Sequence, residues 1–205
     1  MTIGTTEINP QPLESPFWRW GYALDVHSIK SVPLAYGPSG HMTYDTTRSA
    51  VGEMLYQLKY NHDDTQVDPI SDVAAGFLSR TFLRNRPIHR IVPMPPSEKR
   101  KRQPVVLIAH TLGARLNIPV LQGVILRVSN TSAAKSTDDS DQRRRDQQNA
   151  FVMASGSDVA GAVILLFDDL YQTGATAGSI ARVLKEHGNA AEVCFLAVTK
   201  TRKSI

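Results

Sequence analysis

The sequence predicts an α/β fold, a parallel sheet with helices on both faces. Three observations predict it. Amphipathic helical segments alternate with short apolar runs of strand length along most of the chain. Two of those runs, residues 162–167 and 193–199, are apolar at nearly every position, as strands buried on both faces require. The first of them stops on Asp168 and Asp169, so two carboxylates stand at the carboxyl end of a strand, the edge at which open parallel sheets bind ligands.

The elements follow in order. Asp45 and Thr46 precede Val51, Met54, Leu55 and Leu58, spaced i, i+3, i+4, i+7, which describes one face of a capped helix. A second helix is expected from Ser71 to about Asn85, with Ala74, Phe77, Leu78 and Phe82 inward and Arg86-Pro87 closing it. Residues 88–92 read as a strand ended by Pro93. A helix starts near Pro104, which is tolerated at the first helical position, and runs to about Arg115. Residues 118–120 and 124–128 are expected strands. After the strand 162–167 comes a helix over residues 175–187, with Gly188 as its C-cap, and then the last strand, 193–199.

Two stretches depart from this rhythm. Residues 1–45, broken by Pro10, Pro12, Pro16, Pro33 and Pro38, are expected to form a separate hood-like extension before a main domain over 46–205; Phe17, Trp18, Trp20 and Tyr22 predict that it packs against something. Residues 129–148 contain no aliphatic side chain larger than alanine, so burial cannot offset the cost of ordering them, and a flexible loop or a loop leading into a solvated helix is expected.

Composition narrows the class. With 205 residues, 41% hydrophobic and 20% charged, the chain fits one globular domain rather than a disordered or fibrous protein. No apolar run approaches the roughly 20 residues of a membrane helix, and no basic segment with an apolar core stands at the N-terminus, so a cytosolic protein with no membrane partner is expected. The lone Cys194 sits in an apolar run and reads as a core thiol. Net charge +4 suits an anionic partner, phosphate ligands as well as nucleic acid.

The chemistry gathers after residue 167. Thr173, Gly174, Ala175 and Thr176 form a small, hydroxylated turn that opens a helix, whose free N–H groups and dipole favour a phosphate. Asp168 and Asp169 offer acceptors to a sugar diol or hold a hydrated cation. Together the two requirements describe a ribose 5-phosphate. An apolar strand ending in two aspartates also suits the magnesium strand of a nucleoside triphosphatase, but that needs an upstream Gly-x-x-x-x-Gly-Lys-Ser/Thr loop, which the sequence lacks. Either half alone reads as a helix cap or a plain turn.

Residues 163–176 resemble the phosphoribosyl pyrophosphate (PRPP) signature of the type I phosphoribosyltransferases: an apolar strand, two acidic residues, a short spacer and Thr-Gly-x-Thr. The wider order of segments resembles the ComF-like branch of that family, with Leu58-Lys59-Tyr60 ending a helix, Ile91-Val92-Pro93-Met94-Pro95 leading into a basic loop, and Arg143-Arg144-Arg145 shortly before Ala150-Phe151. The zinc ribbon that often precedes this branch is missing, since residues 1–45 hold no cysteine.

The resemblance implies a Rossmann-like core and a set of roles. Asp168 and Asp169 would take the ribose hydroxyls, and Thr173, Gly174, Ala175 and Thr176 the 5-phosphate. Pro95, Pro96, Ser97, Lys99, Arg100 and Lys101 would form the pyrophosphate loop. Mg2+ would be held mainly by substrate oxygens, with Asp168 and Asp169 as the protein groups beside it. Residues 129–148 would be a lid that excludes water, from which Lys135 reaches the pyrophosphate or merely solvates the loop. Asp168, Asp169, Gln172 and Lys135 make up the implied catalytic set.

Two departures shape the expectation. Lys101-Arg102-Gln103-Pro104-Val105 stands where the ComF-like pattern continues with Arg-Gly-Phe-Asn-Gln. Gln172 stands where 6-oxopurine salvage enzymes carry an aspartate acid/base, and an amide cannot shuttle that proton, which disfavours hypoxanthine and guanine. The implied activity is transfer of phosphoribosyl from PRPP to a nitrogen nucleophile, by a chain compatible with a homodimer. The alternatives are a PRPP or nucleotide sensor without turnover, and an accessory protein binding single-stranded DNA in uptake or repair.

Overall fold

The computed structural model describes residues 6–37, 40–96, 102–128 and 150–202. Along the chain these form β1 (Gln11–Pro12), β2 (Trp20–Val26), β3 (Ser28–Tyr36), β4 (Met42–Arg48), α1 (Ala50–Tyr60), a 3-10 turn (Asp64–Gln66), α2 (Val67–Thr81), β5 (Arg90–Pro93), α3 (Pro104–Leu116), β6 (Ile125–Arg127), β7 (Phe151–Met153), β8 (Val163–Tyr171), α4 (Ala175–Glu186) and β9 (Glu192–Lys200). The central sheet has the order β1-β2-β9-β8-β5; β2, β9, β8 and β5 are mutually parallel, and β1 runs antiparallel to β2. Val120 adds a parallel bridge to Ile91 beyond β5.

The two-sided apolar strands behave as their composition requires. Leu165 and Phe167 of β8, with Cys194, Leu196 and Val198 of β9, pack beneath α1, α2 and α3. Ile164, Leu166, Phe195 and Ala197 point the other way, into a second core with α4, Trp18 and the β6–β7 ribbon. Each fully buried Leu, Ile, Val or Phe among them contributes about 1.5–3 kcal/mol of burial. Cys194 is a buried free thiol whose ionisation burial pushes well above the usual range. Among the described residues no helix is long and apolar enough to cross a membrane.

Boundaries moved for identifiable reasons. Ser49, not Asp45 or Thr46, caps α1: its Oγ accepts from the Gly52 N–H at 3.0 Å and donates to the Val26 carbonyl at 2.6 Å, while Asp45 and Thr46 pair with β3. The helix expected from Ser71 begins at Val67 because Asp63 caps the 3-10 turn that runs straight into it. β8 does not stop at Phe167; Asp168, Leu170 and Tyr171 stay in register with Ala197, Thr199 and Lys200 of β9, so both aspartates lie inside the strand. After α4 the left-handed residue is Asn189 (φ 52°) rather than Gly188, which is instead needed where a Cβ would come within 2.6 Å of the Leu184 carbonyl.

The largest departure is at the N-terminus. β2 lies inside the main sheet, between β1 and β9, so the division expected at residue 45 cuts through the core sheet. Trp18 stacks on Phe195 with ring centroids 4.8 Å apart, and Trp20 packs against Phe77 and Phe82. What stands out from the body is the β3–β4 hairpin, where Leu34 and Tyr36 are 66% and 74% exposed. The polar segment 129–148 lies outside the described residues, but the strands flanking it pair, and the Val128 N–H donates to the Ala150 carbonyl at 2.9 Å.

Candidate functional site

A cleft of about 400 Å³ opens at the carboxyl edge of the sheet. Its floor is the last four residues of β8, Asp168 to Tyr171; one wall is the turn 172–174 with the start of α4; the other is Met94, Pro95 and Pro96 after β5, with Gln103 and Pro104 at the start of α3. Lys59 and Tyr60, from the end of α1, complete the lining.

The two carboxylates are adjacent in sequence but differ in setting. Asp169 Oδ2 lies 3.0 Å from Lys59 Nζ, and the two side chains are only 16% and 18% exposed. Asp168 Oδ1 accepts the Asp169 N–H at 2.8 Å. Burial above all, and then the neighbouring Asp169 carboxylate, push the Asp168 carboxyl up to about 7, with backbone hydrogen bonds and Lys59 pulling the other way. Behind them the buried Thr199 hydroxyl donates to the Asp169 carbonyl at 3.4 Å and lies 3.3 Å from His27 Nδ1. Burial, then Arg48 and Lys59, lower the pKa of that histidine.

The turn depends on one glycine for two reasons. Gly174 has φ +79°, and a Cβ there would stand 2.4 Å from the Tyr171 hydroxyl. Tyr171 O–H donates to the Thr173 carbonyl at 3.4 Å, and the ring lies edge-on to Trp18. Thr173 Oγ accepts the Ala175 N–H at 3.4 Å. The chain thus enters α4 with its first-turn N–H groups, which lack intrahelical acceptors, at the cleft.

α1 reaches the site because of how it is docked. A Cβ at Gly52 would come within 2.2 Å of the His27 carbonyl, so glycine lets the helix seat directly on the end of β2. The Ser49 bond to Val26 fixes the same junction. Two turns on, Lys59 arrives beside Asp169.

Of the sequence-predicted residues, Asp168, Asp169, Gln172, Thr173, Gly174, Ala175, Thr176, Pro95 and Pro96 line this one cleft. Ser97, Lys99, Arg100, Lys101 and Lys135 lie outside the described residues. Sequence reasoning gave Lys59 no role. A cation in the last turn of a helix is ordinarily a partner of the helix dipole, and the one sequence signal at Lys59 is its place in the Leu58-Lys59-Tyr60 segment of the family resemblance. Tyr171 reads in the sequence as part of the short spacer before Thr173.

No family profile and no curated protein matches the chain. Solved structures do. Adenine phosphoribosyltransferase from Saccharomyces cerevisiae, complexed with D-2,5-dideoxy-2,5-imino-altritol 1,6-bisphosphate and adenine, is 15% identical over 83% of this chain and 83% of its own, with a TM-score of 0.50. Another adenine phosphoribosyltransferase structure is 14% identical over 84% of this chain and 86% of its own, with a TM-score of 0.51. The chain therefore has the fold of the type I phosphoribosyltransferases.

Proposed function

We propose that the chain binds PRPP and transfers its ribose 5-phosphate to a nitrogen nucleophile, releasing pyrophosphate. One observation carries this reading: two adjacent carboxylates and a glycine-dependent helix start line a single cleft at the carboxyl edge of a parallel sheet. A ribose would bridge them, its 2- and 3-hydroxyls donating to Asp168 and Asp169 and its 5-phosphate resting on Thr173, Gly174, Ala175 and Thr176. The fold shared with solved adenine phosphoribosyltransferases supports the same ligand.

In the reaction the nitrogen bonds to ribose carbon 1 as the bond from that carbon to the diphosphate oxygen breaks. The electron pair leaves on the diphosphate, and the nitrogen loses its proton to water or to a phosphate oxygen. Positive charge developing on the ring is favoured by the half-buried carboxylates beneath it. Gln172 lines the cleft as a neutral amide and cannot accept that proton, so hypoxanthine and guanine remain disfavoured as acceptors.

Among the described residues no three His, Cys, Asp or Glu side chains gather to hold a metal. The carboxylate pair suits a magnesium ion carried mainly by substrate oxygens, which Asp168 and Asp169 would help to hold and which would supply positive charge to the departing diphosphate. Pro95 and Pro96 begin the pyrophosphate loop in this reading, and Ser97, Lys99, Arg100 and Lys101 complete it. The proposal of a ComF-like branch rests on sequence order alone: Leu58-Lys59-Tyr60, Ile91-Val92-Pro93-Met94-Pro95, and Arg143-Arg144-Arg145 shortly before Ala150-Phe151.

Incubation with PRPP, Mg2+ and a panel of nitrogen bases should release pyrophosphate. PRPP that stays intact across the panel while raising the melting temperature would replace the enzyme with a sensor. Retention of single-stranded DNA with a steep salt dependence, without any effect of PRPP, would favour the nucleic-acid alternative.

A further inference from the structure

Resting on the PRPP reading, we infer that Lys59 is the residue that selects a sugar bearing a diphosphate on carbon 1 over plain ribose 5-phosphate. It is the one cation among the described residues that line the cleft. Its ammonium is largely buried, and a lysine carries three N–H donors. Asp169 Oδ2, at 3.0 Å, is the one acceptor that the described residues give it. A half-satisfied ammonium in a partly desolvated cleft is costly unless a ligand completes it, and what its remaining donors suit is a doubly or multiply charged oxyanion.

Position decides which one. The 5-phosphate belongs at the α4 turn, where the first helical N–H groups lack intrahelical acceptors. Lys59 comes instead from α1, on the Asp169 side of the carboxylate pair, and it lines the cleft together with Pro95 and Pro96. A ribose seated with its hydroxyls on the carboxylates places carbon 1 on the far side of the ring from the 5-phosphate, toward that wall. Lys59 then bridges Asp169 and an oxygen of the diphosphate. It keeps that contact as the carbon–oxygen bond breaks and charge accumulates on the leaving group. Since α1 is seated on the end of β2 by Ser49 and Gly52, the cation is held by a helix rather than by a loop.

The test is binding of two ligands that differ only in the diphosphate, PRPP with Mg2+ and ribose 5-phosphate with Mg2+, by calorimetry on wild type, Lys59→Met and Lys59→Arg. Wild type should prefer PRPP; Lys59→Met should lower PRPP affinity about tenfold or more and ribose 5-phosphate affinity by less than about threefold, from the loss of a charge-assisted hydrogen bond. Lys59→Arg, which keeps the charge, should retain most of the preference and serves as the folding control. If Lys59→Met leaves the ratio of the two affinities unchanged, whether by sparing both ligands or weakening both alike, Lys59 is only a counter-ion of Asp169 and the inference is overturned. If wild type binds neither ligand, the PRPP reading itself fails and the inference falls with it.

Discussion

β2 and β8 are parallel strands that end at the same edge of one sheet, yet they continue in opposite ways. β8 passes through a turn into α4, which folds back and buries Ala177, Ile180, Ala181 and Leu184 against the sheet. β2 passes through His27 into the β3–β4 hairpin, which keeps Ile29, Leu34, Tyr36 and Tyr44 in solvent. The first continuation presents a helix start and two carboxylates on a rigid support. The second contributes to the site only indirectly, because the end of β2 is the seat for α1 and so for Lys59. A strand end becomes a ligand site when the segment after it returns to the core; a strand that leads outward can still hold the site by anchoring a neighbour.

The sharpest way to break this comparison is at β8. Asp168→Asn combined with Asp169→Asn should lower PRPP binding about a hundredfold or more in calorimetry, since two charge-assisted acceptors are lost together. Effects on stability rather than on binding should follow the packing. Phe195→Ala, fully buried and stacked on Trp18, should cost about 3–5 kcal/mol in a denaturant titration, whereas Leu34→Ser in the hairpin should stay within about 0.5 kcal/mol. A matched pair of glycines sharpens the contrast further. Gly174 and Gly40 have nearly the same φ, +79° and +76°, but a Cβ at Gly174 meets Tyr171 at 2.4 Å and one at Gly40 meets nothing within 4 Å. Gly40→Ala should therefore cost about 1 kcal/mol from backbone strain alone. Gly174→Ala should cost about 1–3 kcal/mol and also weaken binding of the 5-phosphate, because the turn must shift. Equal costs at the two positions would mean that Tyr171 yields freely.

How much of this was legible depends on which signals are local. The β8–α4 unit was, because an unbroken apolar run, adjacent aspartates and Thr173-Gly174 occupy one short stretch. β2 was not: Gly21 and Asp25 interrupt Trp20–Val26, and its partner β9 lies more than 160 residues away, so pairing with β9 rather than composition makes it a core strand. The site followed the same rule. Residues on the signature were found, while Lys59 and Tyr171 were not given roles, because their importance comes from α1 docking on β2 and from the ring filling the space beside Gly174, both of which are tertiary facts. The reach of β8 to Tyr171 was missed because Asp168 and Asp169 look like a strand's end, although the ladder to β9 continues past them.

The finest distinction lies between the two aspartates themselves, and pH separates them. Asp168 has its pKa raised in the folded chain by burial and by Asp169, so between the ordinary carboxylate range and about pH 7 the folded state binds a proton that the unfolded state has already released. The sign follows from linkage: with more protons on the folded state, stability falls as pH rises through that window. Asp168→Asn removes the titration. Compared with wild type, the variant should gain stability as pH rises from about 4 to about 8, by roughly 1.4 kcal/mol for each pH unit by which folding raises the Asp168 pKa and so several kcal/mol at most, with no gain at the acid end, measured as a difference in melting temperature across the range. Ligand affinity should move the opposite way in wild type, strengthening as Asp168 ionises and gains acceptors for the ribose hydroxyls. If the two melting curves instead run parallel from acid to neutral pH, Asp168 titrates as an ordinary exposed carboxylate, and the two aspartates are equivalent acceptors rather than one that burial holds back from ionising and one that is ion-paired.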